Sequence, residues 1–451
     1  MGHTASDPAT TAATASALDT ALVLGTALAP VVARGVIIRR PRAVALAEKA
    51  DADRLLVRTL QRLRSRYGTA PLRLVVPGRS VVLVLDDADV HRVLAGSPEP
   101  FATTTPEKRG ALGHFQPHGV LISHGADRAD RRRFNESALD TDRPLHHLAE
   151  PMAAVVREEA HALLAEADRT GVLDWDAFGK AWMRIVRRVA LGDSARDDRE
   201  LTELLARLRA AGNWSFAHPR RRDLREEFLQ RLRQQLEKAE PGSLAAAAAD
   251  APTSPRTHPV EQVPQWLFAF DPAGLAAFRA LALLAGHPAE QRAVADDLAD
   301  RDPSRPHDLP LLRAAVLESV RLWPTTPAIL RETTTTTRLG ERVLPAKTLV
   351  VVLTPFFHRD DERLPYADRF APAIWQDGSA RESLSLVPFS AGPAVCPGQN
   401  LVLLLTSTLL AALLQHHEVA LTSRPRLYPG RRIPGTLNPY GLRFSVARRP
   451  S

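Results

Sequence analysis

Apolar positions recur at helical spacing along most of this chain. Leu56, Leu60, Leu63 and Tyr67 share one helix face, and the same period predicts amphipathic helices over 151–167, 175–191, 199–211 and 221–239. Asp87–Leu94 reads as a short helix with acidic residues in its first turn. Strand-like runs are few. Leu72–Val76 and Val81–Leu85 flank Pro77-Gly78 and predict a hairpin, and Thr333–Thr337 and Leu349–Leu353 read as strands. Asn438-Pro439-Tyr440-Gly441 marks the turn of a terminal hairpin within Arg432–Arg449. Phe101–Ser123 reads as loop, and 251–259 as a connection without the composition shift of a domain boundary.

Two segments, Val260–Gly286 and Leu401–Leu414, are apolar almost throughout, as helices enclosed by others are. The first is interrupted by Asp271-Pro272. Proline removes a backbone donor and clashes with the preceding turn, so either a kinked helix or two helices broken at Pro272 is expected. Leu311–Leu322 also reads as a helix. Near the start, Ala21–Ala33 is interrupted by Pro30 and closed by Arg34, which makes it too short to span a bilayer, and no integral membrane segment is expected. Residues 1–17, rich in Ala and Thr, read as a disordered tail.

Composition narrows this picture. At 451 residues, two domains or one large fold are both open. Apolar residues at 45% and charged residues at 24% suit a protein with a large core, and 36 prolines suit many punctuated helices. The net charge of +8 is carried mostly by arginine, but no zinc finger, RNA-binding signature or basic–aromatic interleaving accompanies it, which argues against nucleic acid. What remains is a basic patch for an acidic partner, or arginines for an anionic cofactor. A single cysteine excludes an intrachain disulfide and a multi-cysteine zinc site. It fits a reducing compartment, and with no signal-peptide pattern at the N-terminus a cytoplasmic location is expected.

That cysteine lies in Phe389-Ser390-Ala391-Gly392-Pro393-Ala394-Val395-Cys396-Pro397-Gly398, a stiff loop that presents one sulfur and then enters the apolar run from Leu401. Upstream, Arg128 and Arg132 are four apart on a helix face. Glu318 and Arg321 are three apart and precede Leu322-Trp323-Pro324 and Pro327–Arg331. His114 and His118 are also four apart, but prolines interrupt the segment and no third ligand is evident, so they read as exposed loop histidines.

The spacing Phe-x-x-Gly-x-x-x-Cys-x-Gly resembles the haem-thiolate loop of cytochromes P450. The arginine helix, the apolar helix carrying Asp271, the Glu-x-x-Arg helix and this loop follow in that family's order, over roughly residues 40–449. The resemblance implies a mainly α cytochrome P450 fold, a single domain over 18–451 with a small β-rich region, and haem b held by Cys396, the iron's axial ligand. It implies Phe389, Gly392 and Gly398 around the sulfur, and Arg128, Arg132 and Arg331 at the propionates. It implies Glu318 and Arg321 as a structural pair and Asp271 as the distal acid. The substrate pocket would include Phe268, Ala269, Phe270, Pro272 and Ala328, the 101–120 loop, Trp214 and Thr325–Ile329.

Three positions depart from the pattern. Pro272 replaces the threonine of the acid–alcohol pair, Ala394 a propionate-binding residue, and Ile374 the arginine that completes the Glu-Arg network unless Arg369 or Arg381 substitutes. The implied activity is O2-dependent monooxygenation of a small apolar or natural-product substrate. Electrons would come from a ferredoxin docking near Arg131–Arg133. Peroxide-driven oxidation and non-oxygenative haem chemistry stand as alternatives.

Overall fold

The structure, a computed structural model, describes residues 13–215 and 218–449. Five helices supply most of the larger apolar core, Ala149–Thr170, Trp175–Leu191, Val263–Gly286, Pro310–Leu322 and Gln399–Leu414, and Gly125–Ala138, Arg199–Gly212 and Arg222–Glu237 add to it. Each starts or stops for a local reason. Asp174 caps Trp175–Leu191 by accepting from Ala177 N, and Gly192 ends it at φ 108. Val263–Gly286 runs unbroken through Pro272, so one helix forms rather than two, although Pro272 cannot donate to the Phe268 carbonyl. Gly274, just beyond, permits a close crossing: a Cβ there would come within 2.5 Å of the Trp182 indole. The Trp182 Nε1 donates to the Phe270 carbonyl at 2.7 Å, pinning the neighbouring helix to this point.

A second apolar core lies under a six-stranded sheet ordered Ala13–Thr14, Leu72–Val76, Arg79–Leu83, Leu349–Leu353, Ala328–Thr333 and Phe101–Ala102. The Pro77-Gly78 hairpin forms as expected. Thr333–Thr337 is not a strand. Pairing begins at Ala328 and ends at Thr333, and Thr337–Leu339 starts a separate two-stranded ribbon with Arg342–Leu344. The terminal hairpin also differs: Arg443–Arg448 pairs with His417–Leu421, while Asn438–Gly441 makes a tight turn in which the Asn438 side chain accepts from Tyr440 N. Within the expected loop 101–123, Thr105 caps a helix, Pro106–Leu112, whose proline occupies the first turn, where a missing N–H is harmless.

Of the expected tail, residues 1–12 lie outside the described residues, and order begins before residue 18. Ala13–Thr14 pairs in parallel with Leu72–Arg73, and Ser16 caps Ala17–Val23. The apolar run expected to be too short for a bilayer belongs to a longer helical stretch, Ala17–Arg34, in which a π-helical turn, Leu24–Leu28, precedes the segment Ala29–Arg34 that carries Pro30 near its start. Two helical stretches, Ala17–Arg34 and Pro259–Gly286, are long and apolar enough to cross a membrane by length and composition. The second is 72% buried as a core helix, the first 33%.

Candidate active site

A cavity of about 1060 Å³ lies between the long central helix, the cysteine loop, the sheet and the Asn438–Gly441 turn. That is at the upper end of ordinary ligand pockets. Cys396 lies on one wall, and its main-chain N–H donates to the Phe389 carbonyl at 2.9 Å. Gly392 turns the chain at φ +66, where a Cβ would strike the Leu94 carbonyl at 2.3 Å, so only glycine fits. The loop is braced from outside. Arg132 donates to the Val395 carbonyl at 2.6 Å, Thr141 to the Pro397 carbonyl at 2.8 Å, and Asn400 to the Thr141 carbonyl at 2.9 Å. Burial pushes the Cys396 thiol up, against the Gly398 N–H and the Arg132 charge, which both favour the thiolate.

Next to this loop the cavity wall is cationic. Arg128 is buried and, among the described residues, donates to no acceptor. Arg331 is pushed down to about 10 by burial first and by the Arg128 charge second, and among the described residues its partners are Ser97 at 2.8 Å and the Leu330 carbonyl at 3.1 Å. Lys108, which the sequence reading missed, reaches the Thr103 and Leu330 carbonyls at 2.7 and 3.0 Å. Burial and Arg331 hold its ammonium well below its usual range. Arg132 faces the same space but is engaged with Glu136 and Val395. Buried cations that have no carboxylate partner among the described residues, in a cavity that also holds a thiol and the apolar Phe389 and Leu401, fit a planar apolar group that carries its own negative charges. Haem meets that description. Ala394 lines the same cavity without a polar side chain, and the cations there are Arg128, Arg331 and Lys108.

Glu318 and Arg321 are fully buried and paired at 2.6 Å. Arg321 also donates to the carbonyls of His358, Ala367 and Arg369. Ile374 packs in a small apolar cluster, yet Glu318 does not lack further partners: Trp375 Nε1 donates at 2.9 Å and Ala371 N at 2.8 Å. An indole next door thus replaces the expected guanidinium, and Arg369 takes part through its carbonyl. Of the expected docking arginines, Arg131 is buried against Ser123 and the Arg256 carbonyl, and Arg132 turns inward. Only Arg133 is exposed.

The distal wall is the central helix. Phe268, Ala269, Phe270, Asp271 and Pro272 all line the cavity, with Ala328 and Thr325–Ile329 opposite. Asp271 is ion-paired with Arg209, whose guanidinium also reaches the Ile37 carbonyl at 3.0 Å and lies 5.0 Å over the Phe268 ring. Trp214 is not on this wall. It is exposed just past the end of the helix Arg199–Gly212, with Arg40 stacked 4.4 Å over its ring. The two loop histidines part: His114 is buried, and His118 stacks on His258 and meets Glu261 at 2.8 Å, a group the sequence could not show because its third member is remote.

Further along, Arg39 and Arg279 face the cavity beside Tyr440. Arg279 could have been noticed as a charge inside an apolar run, whereas Arg39 and Arg209 had no such signal.

Residues 271–437 match the family model described as Cytochrome P450. A cyclooctat-9-en-7-ol 5-monooxygenase of Streptomyces melanosporofaciens is 33% identical over 34% of this chain and 33% of its own length. The mitochondrial 25-hydroxyvitamin D-1 alpha hydroxylase of Homo sapiens is 34% identical over 25% of this chain and 22% of its own. The matched stretch thus spans a third or less of these curated relatives. A zebra fish cytochrome P450 structure with abiraterone superimposes with a TM-score of 0.68, at 20% identity, over 86% of this chain and 98% of that one, a likeness of fold.

Proposed function

The chain belongs to the cytochrome P450 superfamily, and on that premise we propose that it is a haem-thiolate oxidoreductase acting on a small, largely apolar substrate. The observation that carries this reading is a cavity whose wall holds the Cys396 thiol together with a cluster of buried cations that, among the described residues, have no carboxylate of their own. Haem b, bound there, would supply the oxidising centre. Cys396 would ligate it, Arg128, Arg331 and Lys108 would hold its propionates, and Phe389 would pack beneath it.

On the distal side Asp271 is taken up in an ion pair with Arg209, and Pro272 offers no hydroxyl. Proton delivery therefore falls to water or to a polar group of the substrate. Monooxygenation with electrons from an acidic ferredoxin-type donor is the first reading. The exposed arginines Arg133 and Arg143, beside the braces of the cysteine loop, support docking on that face. The missing hydroxyl favours a second reading, turnover with peroxide, which needs no relay.

The experiment loads the protein with haem and compares product formation with NADPH and surrogate ferredoxin partners, with peroxide alone, and in the ferric state with neither. Product only with the reductant selects monooxygenation, and product with peroxide selects the second reading. A reduced CO spectrum without a thiolate-ligand band overturns both.

A further inference from the structure

The distal end of the cavity holds more positive charge than the protein itself balances. Arg34 is matched bidentately by Asp53 at 2.7 Å, and Arg209 by Asp271. Arg39 and Arg279 are not: among the described residues their partners are main-chain carbonyls only. Arg39 donates to Gly35 at 2.7 Å and Thr325 at 2.6 Å, and Arg279 to Leu437 at 2.8 Å and Trp323 at 3.3 Å. The Arg279 Nε is buried with no acceptor at all. Tyr440 faces the same space, held edge-on to Trp175, and its hydroxyl has no hydrogen-bond partner among the described residues. Glu48, just behind, accepts from Asn438 N at 2.8 Å and lies within the influence of Arg279.

Four arginines therefore face three carboxylates, and one positive charge is left over. Burying it unmatched is costly: burial first, then the Arg34 charge for Arg39 and the Arg39 charge for Arg279, push both guanidiniums down to about 10. Neither belongs to the haem-facing cluster. Arg39 donates to the Thr325 carbonyl and Arg279 to those of Trp323 and Leu437, whereas Arg331 is held by Ser97 and the Leu330 carbonyl. Two guanidiniums and a phenol that converge on an apolar cavity form a donor set for a planar monoanion.

Resting on the haem reading above, we propose that the Arg39–Arg279–Tyr440 corner is a carboxylate subsite and that the substrate is an apolar carboxylic acid. Its charge docks at the two guanidiniums, and its body extends along Phe268, Ala269 and Ala328. Arg279 lies seven residues beyond Pro272, roughly 10 Å along the helix axis. The carboxylate is thus an anchor held away from Asp271 and Pro272, and it fixes which part of the apolar body reaches the reactive end.

The test titrates the haem-loaded protein with a panel of straight-chain and aromatic carboxylic acids, each beside its methyl ester, at neutral pH. Binding is followed by the haem spectrum and by calorimetry. At least one acid should bind about ten-fold or more tighter than its ester, the scale of a hydrogen bond to a charged group. Arg279→Met and Arg39→Met should each bring that ratio close to one and leave ester binding unchanged. The wild-type ratio needs no variant, so a variant that fails to fold does not remove the test. Equal binding of every acid and its ester, no binding by any acid, or a preference that survives both substitutions overturns the subsite. Failure to take up haem strikes instead at the reading beneath it, while calorimetry on the same pairs still decides the subsite.

Discussion

Arg128 and Arg132 sit one turn apart on the same helix and face the same cavity, yet they hold different things. Arg132 is built into the protein through Val395 and Glu136, whereas Arg128 has no hydrogen-bond or ion-pair partner among the described residues. Arg128→Met should therefore leave the stability of the haem-free protein within about 0.5 kcal/mol while weakening haem uptake ten-fold or more. Arg132→Met should lower both, because the cysteine loop loses its brace. Urea denaturation of the haem-free protein and competitive haem transfer separate the two. Cys396→Ser should keep the fold but lose the thiolate band of the reduced CO complex. Glu318→Gln keeps the shape of the pair and leaves the Arg321 charge buried without its counter-ion, which should cost about 3–5 kcal/mol by urea denaturation. These residues were legible in the sequence because each sits in an ordered local spacing. Trp375 was not, since only the fold brings its indole to Glu318.

Among the elements, helices were legible where the apolar period was long. Trp175–Leu191 begins and ends where the pattern placed it, and Arg199–Gly212 extends one residue past the expected end. The short strands were misplaced because threonine-rich runs carry β propensity whether or not a partner strand lies beside them. The contact the pattern could not reveal is Arg209 with Asp271, which couples the helix Arg199–Gly212 to the central helix. Pro272 in that central helix costs it a backbone hydrogen bond. Pro272→Ala should therefore raise stability, by up to about 3 kcal/mol, as read from the thermal or urea midpoint. If the stabilised variant turns over substrate as fast as the parent, the proline has no part in the chemistry. A loss of activity together with a gain in stability would mark it as a functional departure from the acid–alcohol pattern.

For the molecule as a whole, the order of four landmarks was enough to read the family, but the balance of buried charge was not, because it depends on which remote side chains meet. That balance sets the response to acid. His358 is buried, accepts from Val387 N at 3.1 Å, and is pushed down to about 3 by burial first and by the Arg321 charge second. Unfolded, it would bind a proton near 6.5. Between those values the unfolded chain carries the extra proton, so stability falls as pH drops from about 6.5 toward 3. Asp53 and Glu159 act in the same direction. Burial opposes their charge, but Arg34 in one case and Arg196, Arg184 and Arg188 in the other win, holding both carboxyls below their usual range, so their stabilisation is lost on protonation. Asp89 works the other way: burial and Asp86 raise it to about 6, so its destabilising effect is relieved as pH falls through that value. Urea midpoints of the haem-free protein should fall from neutral pH to about pH 4, by more than one opposed carboxyl can offset. His358→Gln retains an acceptor for Val387 N without the titration, and should flatten the part of the slope between about 6.5 and 4. An unchanged slope in that variant would mean that His358 is not buried neutral and that the carboxylates alone set the acid limit.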